Sequence, residues 1–523
     1  MSNNNNLKFE FNSKNKLIII FSTLISIGIL LRIIFLDFDI PIFVDATDYY
    51  TFAYKIVTEG GIPKHVLETN DGWSWFLSFF FMFFKETDFV TLSALQKILS
   101  VIISALTFIP VFYLCRNFVS EKFAVIGGSL FIFDPRIILN STLGITEPLF
   151  ILLNSIVLAI IFTKNQKNYI FAFILIGILS IVRYEGLLMI IPISIIYFLK
   201  FKKSKNVIRN FCVYFVIFCL IILSVGTVRE DTSGINGFTS HLFTGIEDYF
   251  SSSTNNISNN SNDTQYIQNN FWNSFFVNLI SNTLKYLGWI SLPLLIIFIP
   301  FGIFRIFKNE NKDGPLLIII FSFMIIPALY AFGRDFLDPR YLFQIIPIFC
   351  VISVFGFSKI RGFSERFWIP ILLIIVSILV LSLIAIDDDN TIRFEKYLLA
   401  KILVDSATGV NSFDGQSFIK IAELEKEWPK SLPVDPELGV ISITKKFSYD
   451  EFHSVEDFIF DTRDIGLSHL VIYESNNTKF LDDVYQKPDS YPYLELEFDS
   501  KTRDFESKVR IYKINYEEFD KMN

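Results

Sequence analysis

About eleven long apolar stretches run through this chain and leave it few ways to fold, because a peptide group surrounded by lipid must be hydrogen-bonded within its own helix or a closed barrel. The stretches are Leu17–Leu36, Phe89–Cys115, Phe123–Phe133, Ile145–Phe162, Tyr169–Val182, Leu187–Leu199, Phe211–Val228, Tyr286–Phe304, Pro315–Phe332, Tyr341–Phe357 and Phe367–Ile386. Hydrophobic residues make up 52% of the 523, with 60 phenylalanines, a composition of polytopic helical membrane proteins rather than of a soluble domain. The first stretch follows Lys8, Lys14 and Lys16 and reads as an uncleaved signal anchor, being too long for a signal-peptide core and lacking a small-residue cleavage site.

The count can be tested against charge, since one span more or fewer would reverse every loop downstream. Arg116 with Lys122, Lys164 with Lys167, the run Lys200, Lys202, Lys203, Lys205 and Arg209, then Arg305, Lys308 and Lys312, and Lys359, Arg361 and Arg366 all fall on the side of the N-terminus. That side is expected to be the cytoplasm, which puts the tail outside. Asn-x-Ser/Thr sequons at Asn140, Asn256, Asn259, Asn262 and Asn476 then all face outward. The same rule reads Tyr169–Leu199 as a helical hairpin with Arg183-Tyr184-Glu185-Gly186 at its tip. Arms that short cannot reach across about 30 Å of hydrocarbon at about 1.5 Å per residue, so the charged tip must face a cavity below the outer surface.

A net charge of -7 disfavours nucleic acid as a partner. Cys115, Cys212, Cys219 and Cys350 lie in or at the end of apolar runs and lack metal-ligand spacing. Residues 1–387 are expected to form the membrane domain, with outer loops at 37–88 and 229–285. In the first loop, Tyr49–Val57 is amphipathic, and Trp73–Phe84, too short to cross, suits a helix lying in the membrane interface. In the second, Ser251–Asn262 reads as flexible. Residues 388–523 turn polar and are expected to form a small external α/β or α+β domain, with helices at Phe394–Leu403 and Val455–Ile465 and strands at Leu470–Tyr473, Tyr493–Phe498 and Val509–Ile514.

Four charged constellations fall on the outer side. Asp45 and Asp48 precede Tyr49-Tyr50, and Asp45 or Thr47 equally suits a helix N-cap. Asp134-Pro135-Arg136 precedes Asn140 and Glu147-Pro148-Leu149-Phe150; Glu147 is either a site residue inside a span or the first turn of a helix opened by Pro148. The third is Arg183-Tyr184-Glu185-Gly186, and the fourth runs Arg334-Asp335-Phe336-Leu337-Asp338-Pro339-Arg340-Tyr341. Snorkelling at the interface explains any single arginine here, though it does not explain four such motifs on one side.

In order and topology these motifs resemble the GT-C superfamily of membrane glycosyltransferases, over about Leu17–Ile386, and within it the dolichyl-phosphate-mannose protein mannosyltransferase and lipid aminoarabinose transferase branch, with a tail like that of archaeal members. An adjacent Asp-Glu pair is common in the family's first loop; here Asp45 is followed by Ala46, which leaves the acidic role to Asp45 alone or to Asp45 with Asp48. The resemblance implies a GT-C fold and transfer of a sugar, a mannose-like hexose, from a polyprenyl- or dolichyl-phosphate donor to a protein hydroxyl, a glycolipid or a glycan outside the cell. A lipid phosphate leaves without a strong general acid, while an alcohol nucleophile needs a carboxylate base, for which Asp45 is the first choice and Asp48 the second. Direct activation of the acceptor would invert the anomeric carbon. Arg183, Arg340 and Arg334 suit the phosphate. Asp134, Arg136, Glu147, Glu185 and Tyr341 complete the expected donor-binding set, the carboxylates holding sugar hydroxyls, orienting arginines or binding a divalent metal. The sequence requires no metal. Other classes remain: a secondary transporter or lipid-linked-sugar flippase, disfavoured by the absence of repeated halves, and a membrane-anchored binding module, for which one span would suffice. An oligosaccharyltransferase is disfavoured because the tail lacks a Trp-Trp-Asp-Tyr-Gly-like motif.

Overall fold

The computed structural model describes residues 4–42, 45–63, 70–84, 87–233, 238, 261–308, 312–358, 367–385, 390–412, 415–427, 434–435, 439–440, 444–449, 452–474, 479–503 and 505–522. Its contacts divide into two units. The larger comprises Met1–Leu36, Phe52–Phe83 and Gln96–Ile386; the smaller comprises Asp37–Thr51, Phe84–Leu95 and Asp387–Asn523.

The larger unit is a polytopic bundle of membrane helices. Every apolar stretch of the sequence is helical, but they are not equivalent crossings. Among the described residues seven helices are long and apolar enough to span, or nine if each of two bent pairs is one crossing. Helix Glu147–Ile161 and the segment Gln166–Val182 are shorter. At about 1.5 Å per residue the first measures about 22 Å, less than the hydrocarbon thickness. The bends fall at proline. Helices Glu121–Ile132 and Pro135–Ser141 meet at 52°, and Ser274–Ser291 and Leu295–Phe307 at 104°, because Pro135 and Pro293 each lack the amide that would continue the helix. The expected straight span Tyr286–Phe304 is therefore broken, and the expected outer loop at 229–285 is helical from Ser261 onward.

Tyr169–Val182 and Ile190–Phe201 form the expected hairpin. The Tyr169 ring at the start of one arm meets Tyr197 and Phe201 at the end of the other, with centroids 5.4 and 5.1 Å away. Elsewhere two helices touch almost backbone to backbone: a Cβ on Gly302 would lie 2.0 Å from the carbonyl oxygen of Ile352. Arg32, fully buried near the end of the first helix, donates to the carbonyls of Gly28 and Ile132 at 2.9 Å and to Ser104 Oγ. A guanidinium in such surroundings persists only where carbonyls and hydroxyls replace water.

Two details differ from the sequence reading. The segment read as an interfacial helix is helical at Gly72–Phe81 and exposes Phe79 and, just past its end, Phe83, but Trp73 is buried and its indole donates to Gly144 O at 3.0 Å. Asn140 is 5% exposed inside helix Pro135–Ser141, so its sequon is not an accessible glycosylation site. Asn256, Asn259, Asn476 and the loop from Ser251 to Asn260 lie outside the described residues, and at Asn262 only the helical backbone is described.

The tail folds around a five-stranded mixed sheet of order β4-β1-β5-β7-β6: β1 Gly409–Asn411, β4 Lys445–Phe447, β5 His469–Tyr473, β6 Leu494–Asp499 and β7 Val509–Ile514. A pair of two-residue strands, β2 Val434–Asp435 and β3 Gly439–Val440, stands apart. β1 runs parallel to β4 and β5, and β7 antiparallel to β5 and β6. Phe458 and Ile459 from helix Val455–Arg463, Val484 from Lys479–Gln486 and Phe519 from Tyr516–Met522 pack with Leu470 and Ile472 in its core. The three expected strands and two expected helices are present. β1 is only three residues long, below what alternation can reveal, and its last residue extends the ladder with a side chain: Asn411 donates to Val471 O at 2.9 Å and accepts from Val471 N at 2.7 Å.

Candidate functional site

Three interruptions of helix in the larger unit bring charges together. Glu147 is the first residue of helix Glu147–Ile161, with Pro148 beside it in the first turn, so the two sequence readings of Glu147 are one arrangement. Arg183 follows helix Tyr169–Val182 in extended conformation, φ -149° and ψ 131°, which turns its side chain off the helical path into the 3-10 turn Tyr184–Met189. Asp338 caps a second 3-10 turn, Pro339–Ile345, accepting from Arg340 N at 2.9 Å.

At the centre is Arg183. Its Nη1 donates to Glu147 Oε1 at 2.5 Å and to Thr146 Oγ1 at 3.4 Å; its Nη2 and Nε donate to Glu185 at 2.9 and 3.3 Å. The guanidinium stands 5.5 Å from the Tyr341 ring and 6.0 Å from Phe150, a distance at which the ring faces attract a cation. Arg340 donates through Nε to Asp338 Oδ2 at 2.7 Å, and its Nη1 lies 3.8 Å from the same Glu147 oxygen. Glu147, Arg183, Glu185, Arg340, Tyr341 and Gln344 line one small cavity, and Gln344 is fixed by donation to Met324 O at 3.0 Å. The Arg183 side chain is 12% exposed and that of Arg340 28%. Two guanidiniums against three carboxylates leave the group formally anionic by one charge. This is the cavity that the charged hairpin tip required.

Five of the expected donor residues therefore converge: Glu147, Arg183, Glu185, Arg340 and Tyr341. Three do not line this cavity. Asp134 caps helix Pro135–Ser141, accepting from Arg136 N at 3.0 Å and Ile137 N at 3.3 Å. Arg136 pairs with Asp134 at 3.6 Å, donates to Leu292 O at 2.5 Å and lies 4.7 Å from the Trp289 ring, beside the bend at Pro293. Arg334 stacks on Tyr330 at 5.4 Å. Gln344 and Thr146 were missed in the sequence, where uncharged polar residues in apolar runs give little signal. So was a further buried ion pair, Arg229 with Asp71, which ties the C-terminal part of helix Val207–Ser233 to the start of Gly72–Phe81.

The turn that bears Glu147 is pinned from two directions. Gly144, at φ +74°, presents its carbonyl oxygen to both Trp73 Nε1 and Gln96 Nε2, at 3.0 and 2.7 Å.

The smaller unit holds the acidic turn. Asp45 and Asp48 occupy the first turn of helix Asp45–Glu59, where the helix dipole favours a carboxylate. Although the Asp48 side chain reaches solvent, desolvation by the surrounding protein pushes its carboxyl up to about 6, Lys420 opposing and Asp45 adding to the rise. Nearby, Ile42 N donates to Ser93 Oγ at 3.0 Å, tying the loop to the start of helix Phe89–Leu106. Among the described residues no three His, Cys, Asp or Glu side chains are grouped to hold a metal ion.

No family model matches the chain, and no curated protein matches it in sequence. Solved structures do match in fold. The Archaeoglobus fulgidus oligosaccharyltransferase AglB, in complex with an inhibitory peptide and a dolichol-phosphate, superposes at TM-score 0.53 with 12% identity over 91% of this chain and 72% of its own. The same enzyme with zinc and sulfate gives 0.53 and 13%, over 93% and 73%. ArnT from Cupriavidus metallidurans, bound to undecaprenyl phosphate, gives 0.50 and 11%, over 95% and 98%. The chain thus shares the fold of these solved structures, as the motifs suggested.

Proposed function

We propose that this protein is a membrane glycosyltransferase that moves a sugar from a polyprenyl-phosphate carrier to an acceptor outside the cytoplasm. One observation carries the reading: two arginines, held in place by three carboxylates, line a cavity among membrane helices. Guanidiniums fixed in advance can receive a phosphate without reorganising, and they stabilise the charge it gains as leaving group. Arg340, the more exposed, takes the phosphate oxygens; Arg183, gripped by Glu147 and Glu185, positions the shared carboxylate. The phosphate enters by displacing a carboxylate from Arg340, so the formally anionic cluster keeps the arginines aligned while the cavity is empty. That a dolichol-phosphate and an undecaprenyl phosphate accompany proteins of the same fold supports a donor of this class.

The acceptor half falls to the acidic turn. Asp45 takes the proton of an attacking hydroxyl and inverts the anomeric carbon, with Asp48 the alternative base. The sugar is a mannose-like hexose and the acceptor a protein hydroxyl, glycolipid or glycan. By the positive-inside rule the N-terminus is cytoplasmic, and the tail sits outside with the acceptor.

The test is transfer from a panel of polyprenyl-phosphate sugars by purified protein in lipid, with a membrane extract supplying acceptors, comparing wild type and Asp45→Asn. Released polyprenyl phosphate and a glycosylated product, both lost in the variant while donor binding persists, are the expected result. Donors intact throughout would shift the reading to a transporter of lipid-linked sugars. Equal turnover by the variant would move the base to Asp48.

A further inference from the structure

The outer loop just before Trp73 meets the hairpin tip at Arg183, the centre of the charged group. Arg183 is the first residue after helix Tyr169–Val182, and its chain neighbours on both sides touch Asn70-Asp71-Gly72. On the helix side, Gly72 lies against bare backbone: a Cβ added to it would stand 2.7 Å from both the N and the Cα of Val182. On the other side, the amide of Tyr184 donates to Asn70 Oδ1 at 3.3 Å. In a continuing helix that amide would bond the carbonyl of Ser180, so the Asn70 side chain supplies the acceptor that the extended Arg183 takes away. Asp71 anchors the segment. Its carboxylate, 1% exposed, accepts from Arg229 Nε at 3.2 Å and from Arg229 Nη2, and the Arg229 guanidinium stands 4.6 Å from the Phe238 ring. Trp75 packs there with Ile181, Val225 and Phe238.

We propose that Asn70-Asp71-Gly72 is a clamp that sets the direction of the Arg183 side chain, which makes Asn70 and Gly72 positioning residues for sugar transfer although neither lines the charged cavity. The clamp rests on the glycosyltransferase reading and deepens it. A buried ion pair such as Asp71 with Arg229 adds little net stability over an apolar pair of the same volume, and its use is to fix one arrangement among several. The arrangement fixed here turns Arg183 towards Glu147. Helical angles at Arg183 would swing the guanidinium off that carboxylate, which also faces Arg340, and the alignment of both arginines would loosen.

The experiment uses the full chain in lipid nanodiscs and compares wild type, Asn70→Leu, Asn70→Asp, Gly72→Ala and Gly61→Ala. It reads amide hydrogen exchange at residues 183–186, the melting temperature, and steady-state transfer from a polyprenyl-phosphate hexose with a membrane extract supplying acceptors. Asn70→Leu and Gly72→Ala are expected to speed exchange at the tip and to lower kcat by about tenfold to a hundredfold, with donor KM within about twofold and melting little changed. Asn70→Asp keeps the accepting oxygen and is expected to restore most of the rate. Gly61→Ala, whose added methyl meets nothing within 4 Å, is expected to behave as wild type. Faster exchange at unchanged kcat would make the contact structural only, and unchanged exchange would leave no clamp; either overturns the proposal, as does Asn70→Asp no faster than Asn70→Leu. In each of these cases wild type remains active and the proposed function stands. Wild type that transfers from no donor overturns the proposed function, and the positioning role with it. Should Gly72→Ala fail to fold, Asn70→Leu decides by the same readouts.

Discussion

Arg183 and Glu147 lie 36 residues apart in sequence and 2.5 Å apart in space, each at the point where a membrane helix breaks or begins. Glu147 is buried and the Arg183 side chain is only 12% exposed, so neither charge has much water to fall back on. Removing one partner of such a pair costs about 3–5 kcal/mol. Glu147→Ala is therefore expected to lower the melting temperature and abolish transfer, and Glu147→Gln to retain more stability than Glu147→Ala. Thermal unfolding in detergent, followed by donor binding, separates the two effects.

Arg340→Lys keeps the charge but loses the fork that engages Asp338 and can face a phosphate with two donors. Transfer is expected to fall by about tenfold to a hundredfold, some 1.4–2.8 kcal/mol of lost transition-state stabilisation, at nearly unchanged stability because this side chain is partly exposed. A steady-state assay with one donor checks it; wild-type kinetics would remove Arg340 from the phosphate.

The acid limb of activity should betray the acidic turn. A carboxyl raised to about 6 is still largely protonated at pH 5, so if Asp48 is the base, or controls it, the rate must fall as pH drops through about 6. Wild-type enzyme is expected to show this limb and Asp48→Asn to lose it. A limb near 4 in both proteins would assign the proton transfer elsewhere.

At the Gly302–Ile352 crossing there is no room for a methyl group. Gly302→Ala is expected to destabilise by about 1–3 kcal/mol through overpacking. Gly288→Ala, which meets nothing within 4 Å, is the control and should be neutral or stabilising by up to about 1 kcal/mol. Melting curves of the two variants under the same conditions decide it.

Asp-Pro-Arg occurs twice in this chain, and the pair shows what was legible in the sequence. At 134–136 and at 338–340 the aspartate caps a new turn, as its place before proline implies. The arginines then part: Arg136 turns to Trp289 and Leu292, Arg340 to Glu147. Identical tripeptides carry identical local signals, and only the neighbouring helices decide where the third residue points. The apolar stretches were legible for the opposite reason, since lipid imposes helix whatever the neighbours. The bends at Pro135 and Pro293 were visible as prolines, but their angles of 52° and 104° depend on packing. The burial of Trp73 was not legible, because a tryptophan beside a phenylalanine run reads the same whether its indole meets lipid headgroups or a carbonyl. In the tail, β1 needed Asn411 to complete it, a side chain acting as backbone, which hydrophobic alternation does not register.

The carbonyl of Gly144 is shared by Trp73 from the first loop and Gln96 from the next long helix, three residues before Glu147. A helix start held at one atom by two unrelated segments behaves as the fulcrum of a lever: displacement of either segment is transmitted to the carboxylate that aligns both arginines. Sequence change in a loop that touches no substrate can therefore retune the spacing of the two guanidiniums while leaving all five converging side chains in place.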